Sequence, residues 1–309
     1  MRERGASARD AGPFRSKLLG VIAFPVTPFR EDLSLDLPGL RRNLRALVEH
    51  PVCAVVAAGG TGELYSLTPA EHAQVVGAMV EETRGRVPVI AGVGFGHALA
   101  VEMAEAAARA GAEAILALPP YYPNADEQGL LKYYEAIGRA TSRPLLVYSR
   151  DWVNPGPEWV ERLAARVPTL TAWKEGQGDI RRCQQIMARL GDRLHWIGGA
   201  GDDCVPGYYS IGIRTYTSSI ANVAPRLSLQ LHQAGAGGDA ETLRRLMEVY
   251  VVPLYALRGR RRGYEVSVMK EMMNELGMAA GPVRPPLPAL TPEDRADVSA
   301  LLRKWQPVL

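Results

Sequence analysis

The sequence predicts an α/β fold, a (β/α)8 TIM barrel with a three-helix extension at its C-terminal end. Three observations carry that expectation. Short apolar β-type runs alternate with longer helical stretches, the rhythm of a parallel sheet. The alternation repeats eight times, the number that closes a barrel. After the eighth unit only helical segments follow. Counting alone leaves an open doubly wound sheet as the alternative, and 309 residues are within the range of one α/β barrel.

The first dozen residues are polar and arginine-rich, and residues 1–15 are expected to form a flexible tail. The barrel is expected over residues 16–235 and the helical extension over 236–309. Strands are predicted at residues 19–24, 54–58, 88–93, 114–118, 145–148, 170–174, 195–198 and 214–218. Helices are predicted between them at 37–49, 69–84, 98–110, 127–141, 157–166, 180–190 and 203–211, and after the last strand at 224–234. Thr68-Pro69-Ala70-Glu71 sets a cap, a first-turn proline and a capping-box glutamate in order. The 98–110 segment is rich in alanine, small enough to lie close on a sheet. Residues 240–257, 264–276 and 292–305 supply the three late helices.

Composition excludes several classes of function. Hydrophobic residues make up 47% of the chain and charged residues 22%, as in an ordinary soluble protein. A net charge of +3 is too small to argue for nucleic acid or an anionic membrane. Cys53, Cys183 and Cys204 are far apart, so neither a disulfide framework nor a thiol metal site is expected. The five histidines are scattered without metal-ligand spacing. The apolar run near residues 18–24 is too short for a membrane span and is soon broken by Pro25, which leaves a cytoplasmic protein as the default.

The chemistry of such barrels gathers at the carboxyl ends of the strands. Those ends carry Val26-Thr27-Pro28, Gly59-Gly60-Thr61-Gly62-Glu63, Pro119-Pro120-Tyr121-Tyr122, Tyr148-Ser149-Arg150, Lys174, Gly201-Asp202-Asp203 and Ser218-Ser219. Lys174 ends a buried-type run, Leu170-Thr-Ala-Trp-Lys174, and Asp179 follows as a helix cap. Desolvation lowers an amine's pKa and frees its lone pair to attack a carbonyl. The bland alternative turns the lysine outward to Glu175 or Asp179. A phenol such as Tyr148 could move the proton. Amides of Gly59–Gly62 and the Thr61 hydroxyl could hold a carboxylate beside that carbonyl. Other groups have plainer expectations. Tyr121 and Tyr122 are expected to pack, Asp202 and Asp203 to cap a helix, and Arg258, Arg260, Arg261 and Arg262 to form a solvated or subunit-facing cluster. The glycines at 92, 94 and 96 miss the dinucleotide-binding spacing and read as a turn.

Together these residues resemble the dihydrodipicolinate synthase/N-acetylneuraminate lyase family of Schiff-base aldolases and dehydratases. The likeness rests on Gly59-Gly60-Thr61-Gly62-Glu63, on Tyr148 ahead of Lys174 and on Gly201-Asp202-Asp203, and covers residues 16–305. It implies a barrel with a helical C-terminal part, a homo-oligomer built as a dimer of dimers, and neither cofactor nor metal. It also implies that Lys174 forms the Schiff base, that Tyr148 transfers protons, that Gly60 and Thr61 cradle the keto-acid carboxylate, and that Tyr122 reaches a neighbouring subunit. Gly60 replaces the hydroxyl residue of the synthases, and Val153 stands where they have an aldehyde-binding arginine. Tyr148-Ser-Arg150-Asp, Gly176-Gln-Gly-Asp179 and the segments at 260–267 and 281–286 are instead similar to the 5-dehydro-4-deoxyglucarate dehydratases. That subgroup implies a small keto-acid sugar substrate, with Arg150 and Ser219 as candidates for its distal end. A pyruvate-dependent aldolase or synthase of the same family is the nearer alternative, and a non-catalytic sugar-acid binding protein the remoter one.

Overall fold

The structure, a computed structural model, describes residue 12, residues 14–122 and residues 124–309. The expected tail therefore lies largely outside the described residues. At its end, Phe14 is buried and Arg15 donates to the carbonyls of Asp192 and Leu194.

Eight parallel strands close in sequence order into a barrel, as predicted. They are β1 (Gly20–Ala23), β2 (Ala54–Ala57), β3 (Val89–Val93), β4 (Ala114–Ala117), β5 (Leu145–Ser149), β6 (Leu170–Glu175), β7 (His195–Gly198) and β8 (Thr215–Ser218). β8 pairs with β1 over Gly20↔Thr215 to Ala23↔Ser218, which seals the ring. The strands are nearly continuous apolar runs because both faces are covered. Ile22, Phe24, Val56, Leu146, Ala172 and Ile197 fill the interior. Val21, Ala23, Val55, Val147 and Trp173, one residue out of phase, pack under the helices.

Eight helices form the outer ring: α1 (Leu37–Leu47), α2 (Pro69–Thr83), α3 (His97–Arg109), α4 (Glu127–Ala140), α5 (Pro157–Arg166), α6 (Ile180–Leu190), α7 (Val205–Ser210) and α8 (Pro225–Gly237). The Thr68–Glu71 capping box forms in both directions at the start of α2. On α3, Ala100, Ala104 and Ala107 share the face against the sheet and are fully buried. The helix expected over 203–211 is shorter, because Asp202–Cys204 form a 3-10 turn ahead of α7.

The extension holds α9 (Ala240–Leu246), α10 (Val252–Arg258), α11 (Tyr264–Glu275) and α12 (Pro292–Trp305). The single helix expected over 240–257 is interrupted by one wide π-turn at Met247–Val251. Pro253 supplies the physical reason. It has no N–H to give the carbonyl of Val249, so the regular ladder cannot run through it. Among the described residues no helix is long and apolar enough to cross a membrane.

Candidate active site

Strand periodicity and register build the centre of the site. Leu146 and Ala172 face the barrel interior, so Tyr148 and Lys174, each two residues further on, do so as well. β5 and β6 pair Tyr148 with Lys174, setting phenol and amine on adjacent strands at the same level. One carbonyl gathers both. Lys174 Nζ donates to the Gly199 oxygen at 2.9 Å, and Tyr148 Oη donates to the same oxygen at 3.2 Å. The amine also sits 3.2 Å from the centre of the Tyr148 ring.

Lys174 is 3% exposed. Burial pulls its pKa well below 10.5, and the nearby Arg150 charge pulls the same way, against the opposing pull of Glu175. Burial pushes the Tyr148 phenol up to about 12, with Arg150 acting against it. Burial thus favours the neutral form of both groups, the forms needed to attack a carbonyl and to donate a proton. The outward alternative for Lys174 does not occur. Glu175, on the opposite face of β6, is buried and accepts from Tyr208 Oη and from the amides of Gln177, Gly178 and Asp179. Asp179 caps α6 through the Arg182 amide, as expected.

Gly199 permits the close approach of lysine and strand end. A Cβ there would lie 2.4 Å from Lys174 Cγ and 2.7 Å from its Nζ. Gly60 is the converse, since a Cβ on it would meet nothing within 4 Å. Gly60 and Thr61 border the same cavity as Lys174, which measures about 530 Å³. Their loop is held from behind. Thr27 Oγ1 donates to the Gly62 carbonyl, and the buried Glu63 carboxylate meets Lys270 Nζ at 2.6 Å and the Arg284 amide at 3.0 Å. The amides of Gly60 and Thr61, which line the cavity, have no protein acceptor among the described residues, which leaves them available to an anion.

Arg150 and Ser219 also line the cavity. Arg150 lies toward the mouth, donates to the Gly176 carbonyl at 2.9 Å and has Asp151 3.4 Å away. Ser219 is buried, and its hydroxyl accepts from Arg258 at 3.0 Å. Three plainer expectations are corrected here. Tyr121 and Tyr122 do not pack, since Tyr122 is 89% exposed at the cavity rim, where a positive φ of 78° turns the chain outward. Asp202 does not cap the helix that follows it, because its carboxylate turns to β8, whereas Asp203 takes a hydrogen bond from the Cys204 amide inside the 3-10 turn. Asp202 is instead fully buried and accepts from Ser218 Oγ, the Ser219 amide and Tyr255 Oη. The arginine cluster is divided. Arg260 pairs with Asp294 and Asp297, and Arg261 and Arg262 are exposed, but Arg258 is buried against the cavity. Among the described residues no three His, Cys, Asp or Glu side chains are grouped to hold a metal, and the three cysteines are unpaired.

The model of the dihydrodipicolinate synthetase family matches residues 17–305. The chain belongs to that family. A probable 5-dehydro-4-deoxyglucarate dehydratase from Methylobacterium radiotolerans is 44% identical over 285 residues, 92% of this chain and 94% of that protein. A protein of the same name from Bradyrhizobium diazoefficiens is 41% identical, covering 92% and 91% respectively. The dihydrodipicolinate synthase from Oceanobacillus iheyensis superposes with a TM-score of 0.91 at 30% identity, over 96% of this chain and all of that one. The enzyme of the same name from Bacillus clausii gives 0.90 at 30%, over 95% and 100%. The family and the barrel are therefore those expected from the sequence.

Proposed function

We propose that this family member is a Schiff-base hydro-lyase that dehydrates and decarboxylates 5-dehydro-4-deoxy-D-glucarate to 2,5-dioxopentanoate. The observation that carries the reading is the meeting of a buried Lys174, its pKa lowered by that burial, with Tyr148 around the Gly199 carbonyl. The names of relatives 41–44% identical over nine-tenths of the chain support the substrate.

Lys174 adds to the keto carbon, and loss of water leaves an iminium. The positive nitrogen acidifies the neighbouring methylene, and its proton leaves to give an enamine. The enamine expels the adjacent hydroxyl as water, with Tyr148 as the group that moves protons. The resulting unsaturated iminium takes up the electron pair released when the distal carboxylate departs as carbon dioxide. Protonation and hydrolysis return the free lysine. Gly60 and Thr61 hold the carboxylate next to the keto group, and Ser219 and Arg150 line the rest of the cavity. One lysine serves both bond cleavages, so the chemistry calls for neither cofactor nor metal.

The test is direct. With 5-dehydro-4-deoxy-D-glucarate, the enzyme is expected to release carbon dioxide and 2,5-dioxopentanoate in equal amounts. Borohydride with a keto acid should add the reduced adduct's mass at Lys174, and Lys174→Ala should abolish it. Adduct formation at wild-type level in that variant would refute the assignment. A second reading, a pyruvate-dependent aldolase or synthase, is favoured by the synthase names of the structural neighbours. Aldehyde-dependent consumption of pyruvate without carbon dioxide release would establish it instead.

We further propose a cytoplasmic homotetramer, a dimer of dimers in which Tyr122 projects into the neighbouring subunit's cavity. Its exposure at the rim supports that role. Residues 16–235 form the catalytic unit in this reading, and residues 236–309 close over its mouth.

A further inference from the structure

Arg258 is a buried cation that no carboxylate of the described residues touches. It is 8% exposed and lies at the end of α10, outside the barrel strands. Its guanidinium carries five N–H donors. Among the described residues it makes one hydrogen bond, from Nη1 to Ser219 Oγ at 3.0 Å, and its Nε–H is buried with no partner. No carboxylate of the described residues lies within 4.0 Å of it. Its guanidinium carbon sits 4.6 Å from the centre of the Tyr255 ring, which fixes its plane without neutralising it. Asp202 and Asp203 attract it from beyond salt-bridge distance, and Asp202 is already engaged by Ser218, Ser219 and Tyr255.

A buried charge without a contacting partner for its donors is costly, and folds keep one where something else completes it. Arg258 borders the cavity that holds Lys174 and Thr61, so the completing group comes from the cavity. An arginine fork suits a carboxylate. Ser219, accepting from Arg258, keeps its own O–H free to donate to the same anion. Arg150 is the cavity's other cation, but it already serves the Gly176 carbonyl and stands beside Asp151 nearer to solvent.

We propose that Arg258 and Ser219 together seat the second carboxylate of a dicarboxylic 2-keto acid, making Arg258 the residue that selects diacids over monoacids. This rests on the Schiff-base reading above, with the first carboxylate at Gly60 and Thr61. The carboxylate bridges guanidinium and hydroxyl, and the six-carbon chain spans from that pair to Lys174. The contact exists before any bond changes, so it acts on binding and appears in KM more than in kcat.

Borohydride trapping at Lys174 tests the proposal with two six-carbon probes that differ only at the far end, 2-oxoadipate and 2-oxohexanoate. The wild-type enzyme is expected to be half-saturated by 2-oxoadipate at a concentration roughly 10–100-fold lower, the range for one charge-assisted hydrogen-bonded contact. In Arg258→Gln that preference should fall to near unity, with 2-oxohexanoate and pyruvate still trapped as in the wild type. Arg258→Lys, which keeps charge and bulk but loses the fork, should retain part of the preference and serves if the glutamine variant misfolds. A preference in either variant within twofold of the wild type overturns the proposal. Failure of the wild-type enzyme to trap any of the three keto acids overturns the Schiff-base reading and this proposal with it, whereas equal trapping of both six-carbon acids overturns this proposal alone.

Discussion

Two glycines of the same cavity should respond oppositely to one added methyl group. In Gly199→Ala the new Cβ would fall 2.7 Å from the reactive nitrogen and 2.8 Å from the Glu175 carbonyl oxygen. Borohydride trapping of pyruvate should drop by about 100-fold or more, the cost of displacing a reacting group by an ångström. Gly60→Ala meets open space and should fold and trap pyruvate normally, while losing turnover of the bulkier sugar acid. Equal effects of the two changes would break this account. Arg150 offers a test by pH. Its charge helps depress the Lys174 pKa, so Arg150→Gln should raise that pKa and leave more of the amine protonated at any given pH. The acid limb of the trapping rate should therefore move to higher pH, and a move to lower pH would contradict the assigned cause. Lys174 and Tyr148 were legible in the sequence because strand-end position and alternation depend only on local order. Arg258 was not. Its neighbours in sequence are solvent-exposed arginines, and its burial depends on where a distant helix docks.

At the scale of elements, the carboxylate-facing loop after β2 is tied to α11 by the buried Glu63–Lys270 pair. Burial lowers the Lys270 pKa to about 8, even though Glu63 pulls it upward. Lys270→Met would leave Glu63 as an unpaired buried anion, and unfolding in urea should show a loss of about 3–5 kcal/mol. Adding Glu63→Gln should recover most of that loss. If the double variant is no better than the single, Glu63 carries no uncompensated charge. Nothing near Glu63 in the sequence announces this pair, because its partner stands some two hundred residues later. Asp202 was misread for a related reason, since its donors come from other elements, β8, the turn after it and α10. Helix starts, by contrast, were readable from a few adjacent residues, as the Thr68 and Asp179 caps illustrate.

At the scale of the whole molecule, Tyr121 and Tyr122 stand out from the cavity rim as large aromatic surfaces in solvent. Such surface favours burial against a partner. Sedimentation of the wild-type enzyme at micromolar concentration should show an assembly, and Tyr121→Ser with Tyr122→Ser should shift it toward smaller species. A wild-type protein that sediments as a monomer would remove the proposed oligomer. The barrel count was legible because each βα unit carries its own local pattern. The single wide turn between α9 and α10 was not, since one extra residue leaves a helical pattern almost unchanged. That turn has a consequence for how the protein could change. Deleting exposed Val249 should remove the extra residue of that turn and rotate the rest of α10 by about 100°. Tyr255 and Arg258 would swing off the cavity while the lysine and all eight strands stayed put. Taste for one class of acid over another would then be lost through a change in spelling length, with every functional letter still present.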